Sequence, residues 1–312
     1  MVLKIAYYNF WKDSINDNYF TRFLEFRFKE KIQVVSAFKC KDLDILISSC
    51  MGNIKFIKII KARCKIFYYG ENLNRFPPYN DEKILQDTFD LIVGFKPTNL
   101  LEKTIRFPLW LIYYPYYSYL DNDNILSYIQ NQYDIKKINK NKYACLIARH
   151  DFGGQRKIIT DVLSKWGNVD CPGLFNNNCS PIGPNPDDKL IFLTDYQYNI
   201  CPENSKYPGY HTEKIFQALE AGCIPLYWGI DKPEKDIINE NKYCFCPIEN
   251  SVELSINILS CIDNKNIFLS GPVFKKGAGD IIKGYYDTLF TEISKKINSV
   301  SYTHLRAHET RH

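Results

Sequence analysis

Several features that would place a chain quickly are missing from this 312-residue sequence. No stretch reaches the ~18 uninterrupted apolar residues that a membrane-crossing helix needs, so no transmembrane segment is expected. The first residues, "MVLKIAYYNFW", enter a strand-like pattern at once, without the long apolar core of a secretory leader, and no signal peptide is expected. The eleven cysteines are an odd number, none spaced C-x-x-C, and "CFC" at Cys244 to Cys246 stands alone, which argues against a zinc ribbon or finger. Most therefore read as small buried hydrophobes in a reducing compartment, with one or two bridges left open. The dinucleotide fingerprint G-x-G-x-x-G is absent as well. Strong basicity is also missing: a pI of about 8.5 falls short of the range typical of nucleic-acid binders, so no nucleic-acid partner is expected.

What the chain does have is the composition of a folded globular protein, with 45% hydrophobic and 24% charged residues. Tyrosine (23) outnumbers phenylalanine (20), so many ring positions also carry a hydroxyl that needs a partner. The small positive balance of +5 suits an anionic small-molecule ligand. The last twelve residues, "SYTHLRAHETRH", hold three of the five histidines and resemble nothing before them. They read as a non-native tail over 301–312.

Short apolar runs alternate with amphipathic segments, which is the α/β pattern. Strands are expected at Val2 to Asn9, in "LDILISS", in "CKIFYYGEN" and at Phe89 to Phe95, with a helix over Tyr19 to Glu30. A polar stretch rich in Asn and Lys, Asp121 to Lys142, reads as a junction. The same alternation then restarts: strand Lys142 to Arg149, helix "GQRKIITDVLSKWG" closed by its last glycine, "DDKLIFLTDYQYNIC", a helix capped by Thr212 and ended by Gly222, and the buried strand "CIPLYW". The last helix is expected in "DIIKGYYDTLFTEISKKI". Two successive halves suggest two Rossmann-like domains facing a central cleft, over 1–140 and 141–300.

Two places hold chemistry. In "ENSKYPGYHTEK" (Glu203 to Lys214) polar side chains gather just ahead of a helix, whose first N–H groups and dipole attract phosphate. Lys214 in the first turn is disfavoured by that dipole unless an anion arrives. Tyr210 and Asn204 can hydrogen-bond or stack, and Glu213 can accept paired ribose hydroxyls. An ordinary capped helix with a surface Lys and Glu fits the pattern equally well. Arg156, after the turn "DFGG", follows the C-terminal end of a strand, where open α/β sheets bind ligands, and its guanidinium offers a two-pronged fork to phosphate; a solvated Arg is the alternative. His150 reads as a capping or packing histidine, or as a donor contact. In the other half, Glu71 of "YYGENLNRFPP" sits just past a strand on a glycine turn, placed as a general base or merely as a turn cap. The tyrosine-rich run 109–120 offers stacking platforms for sugar rings or plain aromatic packing. Of the D-x-D pairs, Asp42 and Asp44 precede their strand, the wrong end for a metal-diphosphate site, and Asp121 and Asp123 lie in a polar loop. No metal is expected.

The segment "ENSKYPGYHTEKIFQALEAGCIPLYWG" resembles the core of glycosyltransferase family 10, the α-1,3/α-1,4-fucosyltransferases, roughly E-N-(S/T)…Y-x-T-E-K…A…G-x-(I/V)-P-(I/V/L)-Y-W-G. "FYYGEN", "DLIVGF" and "RFPL" resemble the acceptor-side motifs of that family in the same order, so the likeness runs from about Lys65 to Gly229. The resemblance implies a GT-B fold, with an N-terminal acceptor domain and a C-terminal donor domain. It also implies the donor GDP-β-L-fucose and inverting transfer to a hydroxyl of an N-acetylglucosamine-containing glycan. It makes Glu71 the catalytic base and sets Arg156 and Lys214 on the diphosphate. Asn204 and Tyr210 would touch phosphate or sugar, Glu213 the ribose or fucose, and Ser205 and Thr212 would line the donor loop. His211, Pro202 and Pro208 depart from the family pattern. Animal members are held in the Golgi by an N-terminal span; the expected location is cytoplasmic, or the Golgi lumen or membrane if an N-terminal anchor is missing from this sequence. A transferase using another nucleotide sugar, or a non-catalytic sugar-nucleotide-binding protein, would share these features.

Overall fold

The computed structural model describes residues 2–11, 18–96, 103–113, 140–185 and 187–309, the side chains as far as 298. The chain separates by packing into two units, Met1–Ile112 with Tyr116–Ile125 and Ile281–His312, and Tyr113–Pro115 with Leu126–Asp280.

The first unit is built on a six-stranded sheet in the order β2-β1-β3-β4-β5-β6. Its strands are β1 Leu3–Tyr8, β2 Ile32–Val34, β3 Ile45–Ser48, β4 Cys64–Tyr69, β5 Leu91–Gly94 and β6 Thr104–Arg106. All neighbours run parallel. Parallel strands are covered on both faces, so they read as unbroken apolar runs rather than as alternation. β3 and β5 are buried along their whole length. The expected strands match these centres, whereas the three-residue edge strands β2 and β6 are too short for a sequence pattern. Helix α1, Tyr19–Phe28, begins where the Asn18 side chain accepts the Phe20 N–H and buries Tyr19, Phe20, Phe23 and Leu24. Helices α2 Lys55–Ile59, α3 Glu82–Thr88 and α4 Trp110–Tyr113 complete its first stretch. Trp110 and Leu111, from the tyrosine-rich run, are fully buried, and 114–120 lies outside the described residues.

The second unit carries a five-stranded parallel sheet in the order β11-β10-β9-β7-β8. Its strands are β7 Lys142–Leu146, β8 Val169–Asp170, β9 Tyr196–Ile200, β10 Ile224–Tyr227 and β11 Cys244–Phe245. Helices α5 Gln155–Leu163, α6 Asp188–Leu193 and α7 Glu213–Glu220 connect the strands from β7 to β10, and α8 Ser251–Asp263 and α9 Lys265–Leu269 follow β11. α5 stops at Leu163 with Ser164 as its cap, short of the expected glycine at 167. The core holds Leu146, Ile159, Tyr198, Leu226 and Trp228, together with Cys244, Cys246 and Cys261. All eleven cysteines are free thiols, nine of them buried.

Helix α10, Ala278–Glu309, is longer than expected and from Ile281 packs with the first unit. The Tyr286 hydroxyl donates to the Leu111 carbonyl at 2.9 Å, and Arg27 pairs with Asp287 at 2.9 Å.

α7 is ended by Gly222, whose φ of +71° lies in the left-handed region, where a side chain costs about 1–2 kcal/mol. Gly222→Ala should lower the stability of the protein by about that amount, seen as a reduced Tm with unchanged secondary structure. An unaltered Tm would mean that the turn relaxes without cost.

Candidate active site

In a parallel sheet every strand ends at the same edge, so the loops that follow β7, β8, β9 and β10 gather at one side of the second unit. Ligands of open α/β sheets bind there. Arg156, Asn204, Tyr210, Glu213 and Lys214 all lie on loops or first helical turns leaving that edge.

The segment after β9 is organised by a residue that the sequence reading passed over. Glu203 has no exposed surface, and its carboxylate accepts the Thr212 N–H at 2.7 Å, the Thr212 hydroxyl at 2.7 Å and the Lys214 ammonium at 3.2 Å. The Tyr227 hydroxyl at the end of β10 donates to it at 3.4 Å. A buried carboxylate is tolerable only when charge and hydrogen bonds compensate it, and these donors do so. The loop's backbone is pinned as well: the Glu203 N–H donates to the Trp228 carbonyl, and Gln155 Nε2 donates to the Glu203 carbonyl.

Glu203 also explains the cation at the start of α7. The helix dipole disfavours Lys214 there, but the Glu203 carboxylate lies at the same helix end and satisfies both. Lys214 reaches Glu203 directly and through the Thr212 hydroxyl, to which it donates at 2.7 Å. Thr212 is the N-cap residue as expected, yet its hydroxyl makes no capping bond to the helix backbone and donates to Glu203 instead. The expectation of open N–H groups therefore needs correction at Thr212, whose own amide is already taken.

Arg156 is brought against the same loop. Its Nη2 donates to Asn204 Oδ1 at 2.8 Å, and its Nη1 lies 3.9 Å from Asp151. Asp151 caps α5 by accepting the N–H groups of Arg156 and Lys157, across a turn that needs Gly154 at φ +73°. Burial lowers the Arg156 pKa from its usual value, and Asp151, Glu203 and Tyr210 oppose that shift. Tyr210 is 2% exposed, and Ser205 is half-buried. Glu213 lies 4.0 Å from Lys189 of α6, a second group missed in the sequence. Burial pushes the Glu213 carboxyl up, but Lys214 and Lys189 together hold it below the usual carboxylate value. The His150 ring is stacked on that of Phe152 at 4.2 Å.

Glu71 stands in the first unit, half-buried, two residues past the end of β4 and directly before Asn72. In the same turn the Asn72 side chain accepts the Asn74 N–H at 3.1 Å. The carboxylates considered for metal have structural partners: Asp42 pairs with Lys4 at 2.5 Å and Asp44 with Arg63 at 3.1 Å. Asp121 and Asp123 lie outside the described residues. Among the described residues, no three His, Cys, Asp or Glu side chains converge as a metal site.

Residues 5–113 match the family model of the α-(1,3)-fucosyltransferase FucT N-terminal domain. The α-(1,3)-fucosyltransferase FucT of Helicobacter pylori is 26% identical over 259 residues, 75% of this chain and 52% of its own. This chain thus spans about half the length of that curated relative. A solved α1,3-fucosyltransferase with GDP-fucose is 22% identical with a TM-score of 0.62, covering 93% of this chain and 90% of that one. An α-glucosyltransferase in complex with UDP and DNA reaches 0.57 at 11% identity, over 94% and 100%. Anabaena HepE in complex with UDP and glucose reaches 0.54 at 11%, over 95% and 100%. The fold is of the GT-B type.

Removing the charge of Glu203 leaves Lys214 opposite a neutral amide in a half-closed site. Glu203→Gln should cost about 3 kcal/mol, the lower end for breaking a buried pair because Lys214 keeps some solvent. Urea unfolding of the two proteins measures it; equal midpoints would show that the pair contributes nothing to stability.

Proposed function

We propose that the chain is a family-10 fucosyltransferase that transfers L-fucose from GDP-β-L-fucose to a glycan hydroxyl with inversion. The observation that carries this reading is the meeting of Arg156, Asn204 and Lys214 around the Glu203 loop, at the ligand-binding edge of the second sheet. The match of residues 5–113 to the FucT N-terminal domain supports it from the other unit.

In this reaction an acceptor oxygen forms a bond to the anomeric carbon of fucose while the bond from that carbon to the diphosphate oxygen breaks. The barrier has two parts, a weak nucleophile and a leaving group that gathers negative charge. Arg156 supplies a planar fork to the diphosphate, and Lys214 a point charge. The buried setting of Arg156 strengthens such contacts relative to water. Lys214 can turn toward a phosphate without abandoning Glu203, because an ammonium carries three donors. Tyr210 and Asn204 hold phosphate or sugar, Glu213 takes the ribose or fucose hydroxyls, and Ser205 and Thr212 line the loop. Glu71 accepts the proton of the attacking hydroxyl. One displacement converts the β-linked donor into an α-fucoside. In this reading, acceptors contain N-acetylglucosamine and the bond forms at its 3-hydroxyl. Two protein cations act on the leaving group, so no metal is needed.

GDP release from GDP-fucose with N-acetyllactosamine, in EDTA, tests these assignments together. Wild type should turn over, and Glu71→Ala should bind GDP normally while losing roughly 10²–10⁴-fold in kcat. Arg156→Ala should lose roughly 10²–10³-fold in kcat/KM, the scale of one lost charge-stabilising donor. Turnover with GDP-mannose or UDP-sugars in preference to GDP-fucose would reassign the donor. Tight GDP binding without turnover on any acceptor would make the chain a binding protein.

A further inference from the structure

The donor loop is fastened at a second point, by a residue that departs from the family pattern. His211, next to Thr212, is 5% exposed, and its two ring nitrogens meet two different carboxylates. Nε2 lies 2.8 Å from Asp231 Oδ1, and Nδ1 lies 3.2 Å from Glu234 Oε1. Both carboxylates belong to the segment that follows β10. Asp231 also accepts the Gly209 N–H at 3.4 Å, so the loop is tied to that segment on both sides of Tyr210. Because the nitrogens point to opposite sides of the ring, the three side chains cannot converge on one cation. An imidazolium donates both N–H groups to the two carboxylates, whereas a ring neutral at Nδ1 keeps Nε2–H on Asp231 and accepts the Glu234 N–H, which also lies 3.2 Å from Nδ1. Glu234 is itself 6% exposed and holds φ +39°, a left-handed backbone uncommon for Glu that its surroundings must enforce.

We propose that His211 is a positioning residue of the donor loop: as an imidazolium between Asp231 and Glu234 it clamps the loop against the segment after β10, and so holds Tyr210 and Lys214 in their binding positions. The proposal rests on the donor-site reading above. Burial by itself would lower the pKa of this histidine, but the Asp231 and Glu234 contacts win and raise it to about 9. The sign is that of a group whose folded pKa is raised. The charge of the clamp acts in full below the free histidine value of about 6.5 and is lost as pH rises through about 9, leaving only the hydrogen bonds of a neutral ring. In the neutral ring Nδ1 turns from donor to acceptor toward the Glu234 N–H, 3.2 Å away, and gives up the Glu234 carboxylate.

The experiment uses the full chain, wild type and His211→Asn, with GDP as the probe. GDP affinity is measured by calorimetry from pH 6.5 to 10. In parallel, without ligand, trypsin cleavage after Lys206 reports whether the loop is held, since Lys206 lies inside it. Wild type should resist cleavage and bind GDP well up to pH 8, and weaken in both toward pH 10. His211→Asn should be cut readily and bind about tenfold more weakly at pH 7, as for a loop competent in roughly one molecule in ten. Its affinity should then change less with pH than that of wild type. Lys189, whose pKa burial lowers, titrates in the same direction in both proteins, so the difference between them belongs to His211. Asp231→Asn removes one carboxylate at a half-exposed position and should move the wild-type break to lower pH, with the fold intact. His211→Asn with the cleavage, affinity and pH profile of wild type would overturn the proposal, as would an unmoved break in Asp231→Asn. A wild-type loop that is held against trypsin but binds no GDP at any pH would overturn the donor reading, and leave the clamp standing on the cleavage result.

Discussion

A carboxylate with no access to water must find its compensation inside the protein, and in the second unit that requirement organises everything around Glu203. Its oxygens draw in the N–H and hydroxyl of Thr212, the ammonium of Lys214 and the hydroxyl of Tyr227. Its own backbone is tied to Trp228 and Gln155. One residue, through its carboxylate and its backbone, therefore brings together the end of β9, the end of β10 and the first turns of α5 and α7. Without it, the loop between β9 and α7 would have neither a reason to fold inward nor a partner for the lysine it carries.

The same logic repeats around the loop. Arg156 has Asp151, Lys189 has Glu213, and His211 has Asp231 and Glu234. Buried or half-buried cations left alone would destabilise the fold, so each arrives with an acid. The site is consequently close to neutral before any ligand enters. It meets an anion with oriented donors rather than with a pool of free charge, which favours selection by geometry over attraction at long range.

The sequence made much of this visible, and the limits have physical causes. Central strands such as β3, β4 and β5 were legible because burial on both faces makes them continuous apolar runs. The block from Asn204 to Lys214 was legible because its polar residues crowd a helix start. Glu203 was not, although it heads the same block: its role depends on contacts nine, eleven and twenty-four residues away that only folding creates. Lys189 joins the site from α6 for the same reason. At Glu71 the sequence left both a base and a turn cap open, because neither role shows in the residues of one short turn.

The first unit is finished by residues near the other end of the chain. Tyr286 is fully buried, its ring 6.2 Å from Phe23 and 5.5 Å from Phe107, and Ile282, Leu289 and Ile293 are buried along the same helix. During synthesis the first sheet emerges well before the residues that cover its aromatic side. About 170 residues separate Ile112 from Ile281, roughly 10–30 s at ribosomal speeds. For that interval the nascent first half must keep Phe23 and Phe107 uncovered or covered by something else. The second unit ends at Asp280, just before the part of α10 that packs with the first unit, and has no such wait. The order in which the two halves mature on the ribosome is therefore the reverse of their order in the sequence.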